Sequence, residues 1–169
     1  MNILIISDSH GRRDLVREVI DRTRPDAILF AGDGLRDLPD VDPRCEVHAV
    51  RGNCDFSSLA APASGECPEE ALVILGGIRI LLMHGHRYCV KSTLSIAIAR
   101  AAERQADVLV FGHTHQPVEL CIRPDGDSGY GACLEKPLWV CNPGSLGYEG
   151  SFGTITVRNG QILLGHGEV

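Results

Sequence analysis

No apolar run in this chain approaches the roughly 20 residues needed to cross a bilayer. The opening Met1-Asn2-Ile3-Leu4-Ile5-Ile6 lacks both a basic leader region and a cleavage site. The expectation is a soluble, unexported, cytoplasmic protein with no membrane partner. No cluster of Lys or Arg interrupts a sequence whose formal net charge is −6, so the basic stripe that neutralises an extended nucleic acid is missing. That excludes a long polyanion but not a small phosphate ester, because bound cations bring positive charge to a local cluster of carboxylates. The seven cysteines (Cys45, Cys54, Cys67, Cys89, Cys121, Cys133 and Cys141) are odd in number and show no C-x-x-C spacing. This argues against a disulfide framework or a zinc ribbon, and most are expected to be buried small hydrophobes. There is no internal repeat, low-complexity tract or linker. Residues 1–169 are therefore expected to form a single domain.

What is present is an ordinary globular composition, 44% hydrophobic and 22% charged, arranged as short apolar runs. Ile3 to Ile6 ends in Ser7-Asp8-Ser9-His10-Gly11. Leu15, Val16, Val19 and Ile20 then recur at helical spacing behind Asp14, a candidate N-cap. Ala27 to Ala31 follows, closed by Gly32-Asp33-Gly34. This strand, helix, strand opening implies parallel strands joined by a right-handed crossover. Later strand-like runs cover 46–50, 71–75, 78–83, 108–111, 118–122, 138–141, 154–157 and 161–164, with one further helix over about 92–105. Gly76-Gly77 and Asn159-Gly160 are two-residue hairpin signals. So many strands with so few helices predict an α/β fold of two packed, mixed sheets with helices outside. Residues 57–70 and 123–137 read as loops, the first a candidate cover for a site and the second a long hairpin tip.

Asp8, His10, Asp33, Asn53, His84, His113 and His115 each follow an apolar run within a few residues. All can ligate a metal, and loops at the carboxyl ends of parallel strands gather on one edge of a sheet. Each group alone has a plainer reading. Asp8-Ser9-His10 forms an Asx turn as readily, and Gly32-Asp33-Gly34 and Gly52-Asn53 are common turn chemistry. His84-Gly85-His86 and Gly112-His113-Thr114-His115 are harder to read as turns alone, because tight histidine clusters bind metal, shuttle protons or titrate. Together the set favours a site.

The ordered set Asp8-x-His10, Gly32-Asp33, Gly52-Asn53, His84 and Gly112-His113-x-His115 resembles the signature of the calcineurin-like metallophosphoesterase superfamily. Met83-His84-Gly85-His86 and Asn142-Pro143-Gly144-Ser145, with the short length, are most similar to its small prokaryotic phosphodiesterase branch. The resemblance implies a four-layer α/β/β/α sandwich. It also implies two divalent ions, one held by Asp8, His10, Asp33 and His115, the other by Asp33, Asn53, His84 and His113, with Asp33 bridging. A bridging hydroxide would then attack a small phosphate ester, a diester rather than a monoester. A nitrogen and oxygen ligand set suits Mn²⁺ first, and also Fe²⁺, Co²⁺, Ni²⁺ or Zn²⁺, better than Ca²⁺.

The sequence departs from the wider family at Cys54, where many members carry a His that protonates the leaving oxygen. A thiol is a poor general acid. His86 is the candidate to replace it or to support the ligands, and Asn53 is a candidate for contact with the reacting phosphate. Arg51 is expected to pair with Asp55 or reach substrate. Asn142 or Ser145 is expected near the site, and His48 and His166 are left out of it. The alternative function is a non-catalytic interaction module resembling the retromer scaffold subunit. A nuclease is disfavoured without a basic groove, and the sequence leaves homo-oligomer formation open.

Overall fold

The structure, a computed structural model, describes residues 1–55, 67–124, 130 and 134–169. The first of its two sheets contains β1 (Asn2–Ile6), β2 (Ala27–Phe30), β3 (Glu46–Ala49), β9 (Ser151–Arg158) and β10 (Gln161–Glu168), in the order β10-β9-β1-β2-β3. The second contains β4 (Glu70–Leu75), β5 (Ile78–Met83), β6 (Val108–Val110), β7 (Pro117–Ile122) and β8 (Leu138–Pro143), in the order β4-β5-β6-β8-β7. Both are mixed. β1, β2 and β3 run parallel with β9 antiparallel to β1, and β5, β6 and β8 run parallel between antiparallel edges. The carboxyl ends of five of these six parallel strands, all but β8, carry the loops that hold the candidate ligands.

Three apolar layers follow from the period-2 alternation of the strands. Ile3 and Ile5 of β1 and Ile80 and Leu82 of β5 point between the sheets, where they meet Leu29, Val110 and Ile155. Leu4 and Ile6 point the other way, against Val16 and Val19 of α1 (Arg13–Thr23) and Leu146 of α3 (Leu146–Glu149). Leu81 and Met83 likewise pack on Ala97, Ile98 and Ala101 of α2 (Ser95–Glu103). The central strands are covered on both faces, which is why they read as continuous apolar runs rather than as alternation. The result is the α/β/β/α sandwich of two mixed sheets.

Both hairpin signals are borne out. Gly76 and Gly77 lie at φ 58° and 84°, and Asn159 and Gly160 at 51° and 77°. Left-handed backbone at both central residues is what a type I′ turn requires to match the strand twist. Two expectations fail. Asp14 does not cap α1: Arg12 occupies the cap position without a side-chain cap, while Asp14 lies in the first turn and pairs with Arg12 at 2.9 Å. A carboxylate there still interacts favourably with the positive end of the helix dipole. The six described cysteines, Cys133 lying outside the described residues, are not mostly buried either. Cys141 is, but Cys45 and Cys67 are half-buried and Cys54, Cys89 and Cys121 are exposed, Cys121 because β7 is an edge strand. Of the expected loops, residues 57–66 and most of 123–137 (125–129 and 131–133) lie outside the described residues. Among the described residues no helix is long and apolar enough to cross a membrane.

Replacing Gly160 by Val puts a β-branched side chain at a left-handed position that strongly disfavours it. It should cost about 1–2 kcal/mol of stability, read as a lower urea midpoint at unchanged slope. Unaltered stability would contradict the turn assignment.

Candidate metal centre

Each candidate ligand sits one to five residues beyond the end of a parallel strand, and the backbone there is unusual. Asp8, His10, Asp33, His113 and His115 all have positive φ, between 45° and 67°. Only Gly adopts that region freely, although Asp, Asn and His tolerate it better than other residues. Five of the seven candidates share it, so the loops turn their side chains sharply back over the strand ends instead of letting them continue outward. Close backbone approach helps. A Cβ on Gly112 would stand 1.9 Å from Ser7 Oγ, and one on Gly52 would stand 2.0 Å from Asp33 Oδ1. The glycines of Gly52-Asn53 and Gly112-His113 are therefore there for space, not only for turning.

The side chains gather in overlapping groups. Asp8 Oδ1 lies 3.1 Å from His115 Nε2 and 3.8 Å from His10 Nε2, and the two imidazole Nε2 atoms are 3.5 Å apart. His84 Nε2 lies 3.3 Å from Asp33 Oδ2, 3.2 Å from Asn53 Oδ1 and 3.2 Å from His113 Nδ1. Asp33 joins the two, because its carboxylate groups both with His84 and His113 and with His10 and Cys54, ligand atoms within 4.8 Å of one another in each case.

These residues fit a cation. His84 Nδ1 donates to the Ala31 carbonyl at 2.7 Å, so in the neutral ring Nε2 carries only a lone pair. That lone pair faces a carboxylate oxygen, an amide oxygen and another imidazole nitrogen. Asp8 Oδ1 is fully buried without a hydrogen-bond partner, the kind of orphan acceptor that a bound ion or water satisfies. Acceptors converging on acceptors repel unless positive charge lies among them.

A proton can supply that charge in part. Burial opposes charging of His84, but Asp33 and Asp8 outweigh it and raise its pKa. Asp33 is driven the other way: burial disfavours its charge, yet the His84 ring and the Cys54 amide hold it well below the usual carboxylate range. Burial, then the neighbouring His84 and Lys91, push His113 down to about 4, and burial followed by His84 lowers His86. Burial, then Asp33, push the Cys54 thiol up to about 11, so a free Cys54 stays protonated at neutral pH.

Supporting residues fix the loops. Asp55 accepts four backbone N–H bonds, from Asp33 and Gly52 at 2.8 Å and from Gly34 and Leu35 at 3.0 Å, tying the Asp33 loop to the Asn53 loop. The carboxylate of Asp37 accepts from Ser9 Oγ at 2.6 Å and from the Gly11 amide at 2.8 Å. Asn142 donates to the Gly112 carbonyl at 2.9 Å and to Thr114 Oγ1 at 3.0 Å, while Ser145 Oγ donates to the Asp8 carbonyl at 2.9 Å. Asn142 and Ser145 thus lie where the sequence put them, behind the ligand loops.

Arg51 does not pair with Asp55, whose oxygens are taken by amides. It binds Glu69 at 2.8 Å, and Glu69 also binds Arg87. His86 lies beside the cluster, its ring 5.4 Å from that of His84 and 6.1 Å from that of His113, with a buried Nδ1 that has no partner. His48 pairs with Glu46, and His166 with Glu119 and the Asn142 carbonyl. Sequence reading missed Asp37 and Tyr148. The Tyr148 ring lies 5.1 Å from that of His10 and 5.2 Å from that of His115, yet the residue is 69% exposed. Nothing around Tyr148 in the sequence signals that position.

The family model of the calcineurin-like phosphoesterase superfamily domain matches residues 1–160. The Bacillus subtilis (strain 168) protein named "Probable metallophosphoesterase YsnB" is 39% identical over 116 residues, 68% of this chain. The match spans 64% of that relative's length, a little under two thirds. Among solved structures, vacuolar protein sorting 29 of Cryptosporidium parvum superposes at a TM-score of 0.69 with 20% identity, over 99% of this chain and 97% of that one. An archaeal phosphodiesterase does so at 0.68 with 18% identity, over 97% and 98%. At such identities the likeness to the two solved structures is one of fold.

Asp55→Ala leaves four amides without their acceptor, and a buried donor left unpaired costs about 1–3 kcal/mol, so with partial rescue by water a loss of about 2–4 kcal/mol is expected. Denaturant unfolding measures it, and calorimetry should find Mn²⁺ affinity sharply reduced in the folded variant. Unchanged affinity would mean that Asp55 does not position the Asp33 loop for binding.

Proposed function

The chain belongs to the calcineurin-like phosphoesterase superfamily, and on that footing we propose that residues 1–169 act as one metallophosphoesterase domain that binds two divalent cations and hydrolyses a small phosphodiester. The observation that carries the reading is the convergence of lone pairs on two positions that share Asp33. Asp8, His10, Asp33 and His115 would hold one cation and Asp33, Asn53, His84 and His113 the other. Mn²⁺ is favoured, with Fe²⁺, Co²⁺, Ni²⁺ or Zn²⁺ as alternatives, since imidazole and carboxylate donors accommodate all of them. When bound, such a pair of cations acidifies water and neutralises phosphoryl oxygens.

The chain's own part is orientation and charge balance. The Ala31 carbonyl fixes the His84 tautomer so that Nε2 faces the centre, the arrangement by which backbone acceptors orient ligating imidazoles. Neutral imidazoles and the Asn53 carboxamide keep the cluster from becoming too anionic for a phosphate. Asn53, the most exposed of the proposed ligands, also stands where the substrate phosphate would enter. His86, with its unpartnered Nδ1 beside the ligands, is the nearest candidate to contact the phosphate or the leaving oxygen, but burial and then His84 lower its pKa and make it a weak substitute for the missing acid. A diester is favoured because it brings one negative charge where a monoester brings two. The existence of a phosphodiesterase among proteins of this fold is consistent with that choice.

A second reading, a non-catalytic scaffold, takes support from the fold shared with vacuolar protein sorting 29. The retained ligand set weighs against it. We expect a small soluble substrate rather than an extended nucleic acid or a membrane, and a cytoplasmic location.

The experiment that tests the proposal assays phosphate mono- and diesters with metal-stripped protein reconstituted with each divalent ion. Asp8→Ala and His84→Ala should abolish hydrolysis while circular dichroism stays that of the parent, and Asp33→Asn should bind fewer than two ions by native mass spectrometry. Active variants would favour the scaffold.

Because Cys54 stands where the resemblance places a protonating His, aryl diesters should be cleaved about 10² to 10⁴ times faster than alkyl ones, the usual worth of general acid help. A leaving-group series of kcat/KM checks this, and a flat series would mean that the acid is present.

A further inference from the structure

The two proposed cation positions use nitrogen and oxygen donors, yet a third group lies between them. Cys54 Sγ and the ligand atoms of His10 and Asp33 all fall within 4.8 Å of one another. A tetrahedral ion with bonds of about 2.0–2.3 Å holds neighbouring donors roughly 3.3–3.8 Å apart, so small side-chain movements bring these three onto one cation. The starting point of the Cys54 side chain is already fixed, because its amide donates to Asp33 Oδ1 at 2.7 Å. The thiol is exposed and therefore open to a cation arriving from solvent. Asp8 Oδ1, buried and without a hydrogen-bond partner, stands 3.8 Å from His10 Nε2 and adds an uncompensated acceptor on the same side. Cys89 and Cys121 are also exposed, but neither falls in such a group among the described residues.

We infer that Cys54 is a further ligand of the centre, engaged through sulfur by thiophilic divalent cations such as Zn²⁺ and Cd²⁺ and left as a thiol by harder ones such as Mn²⁺. The inference rests on the proposed cation-binding role of the site and refines it. Softness supplies the discrimination, since thiolate selects the thiophilic ions while carboxylate and imidazole accept both kinds. An uncoordinated cysteine thiol ordinarily keeps its proton at neutral pH. Coordination therefore breaks the S–H bond, forms a sulfur–metal bond and releases one proton per chain to solvent. Sulfur coordination adds a negative charge beside the position a phosphate would take. A centre loaded with a thiophilic ion is consequently a different electrostatic environment from one loaded with Mn²⁺.

The test uses the metal-stripped full chain and two probes, CdCl₂ and MnCl₂. Cd²⁺ should produce a sulfur-to-metal charge-transfer absorption in the ultraviolet and slow alkylation of Cys54 by iodoacetamide by at least about tenfold, because coordinated sulfur is a poor nucleophile. Alkylation is read by peptide mass spectrometry, and Mn²⁺ should do neither. Cys54→Ser should still bind Cd²⁺ but lose the band, while Cys89→Ser keeps it. Cd²⁺ bound at full occupancy without the band, or without protection of Cys54 in the unaltered chain, would overturn this inference alone. Failure of both cations to bind would overturn it together with the cation-binding reading of the site.

Discussion

The mutual repulsion of acceptor atoms around Asp33 is the constraint that the rest of the molecule is arranged to sustain. A carboxylate oxygen of Asp33, the Asn53 carboxamide oxygen and the His113 Nδ1 are each held 3.2–3.3 Å from His84 Nε2. Left free, such side chains would swing out to water. Apart from Asn53, which follows the edge strand β3, they are held because each grows from a short loop whose preceding strand is buried on both faces, so the loop cannot retreat. The left-handed backbone at five of the positions adds strain of order 1–3 kcal/mol each. That strain is offset by hydrogen bonds that use the loops' own amides, above all those accepted by Asp55 and Asp37.

Charge tells the same story. The Asp33 carboxylate is held below its usual pKa and the His84 imidazole above its own, burial opposing both and each favouring the charge of the other, while His113 is pushed toward neutrality by burial and by that same His84. The centre is thus short of positive charge and recruits it from the nearest basic group. A divalent ion answers the same need better, since it can face several acceptors at once where a proton faces one or two.

Much of this was legible in the sequence because buried parallel strands and ligand loops write themselves in adjacent letters. Ile3–Ile6 then Asp8 and His10, or Val108–Phe111 then His113 and His115, give strand and site in one reading. Both I′ turns were visible for the same local reason. What escaped depends on partners distant in sequence. Asp14 sits where a cap residue is common, but Gly11 is secured by Asp37, 26 residues on, and the helix begins one residue earlier. Arg51 and Asp55 look like a natural pair until the amides of Gly52, Asp33, Gly34 and Leu35 are seen to fill the carboxylate. Tyr148 reaches His10 and His115 only because α3 docks on the first loop, with the Gly147 amide donating to the Asp8 carbonyl at 3.0 Å.

The strand order of the first sheet also has a bearing on how the molecule comes to exist during synthesis. β1 lies between β2 and β9, with Ile3 opposite both Ala27 and Ile155. Its second neighbour is therefore made some 150 residues later, whereas β4 to β8 lie within 70–143 and can pair among themselves earlier. Contacts of such sequence separation form slowly because the intervening loop must close first. While the ribosome is still adding β9, one edge of β1 stands open, an apolar strand with unpaired backbone groups and the Asp8 loop at its end. The nascent chain is at its most adhesive in that interval, and the ligand loops cannot reach their final positions until it closes.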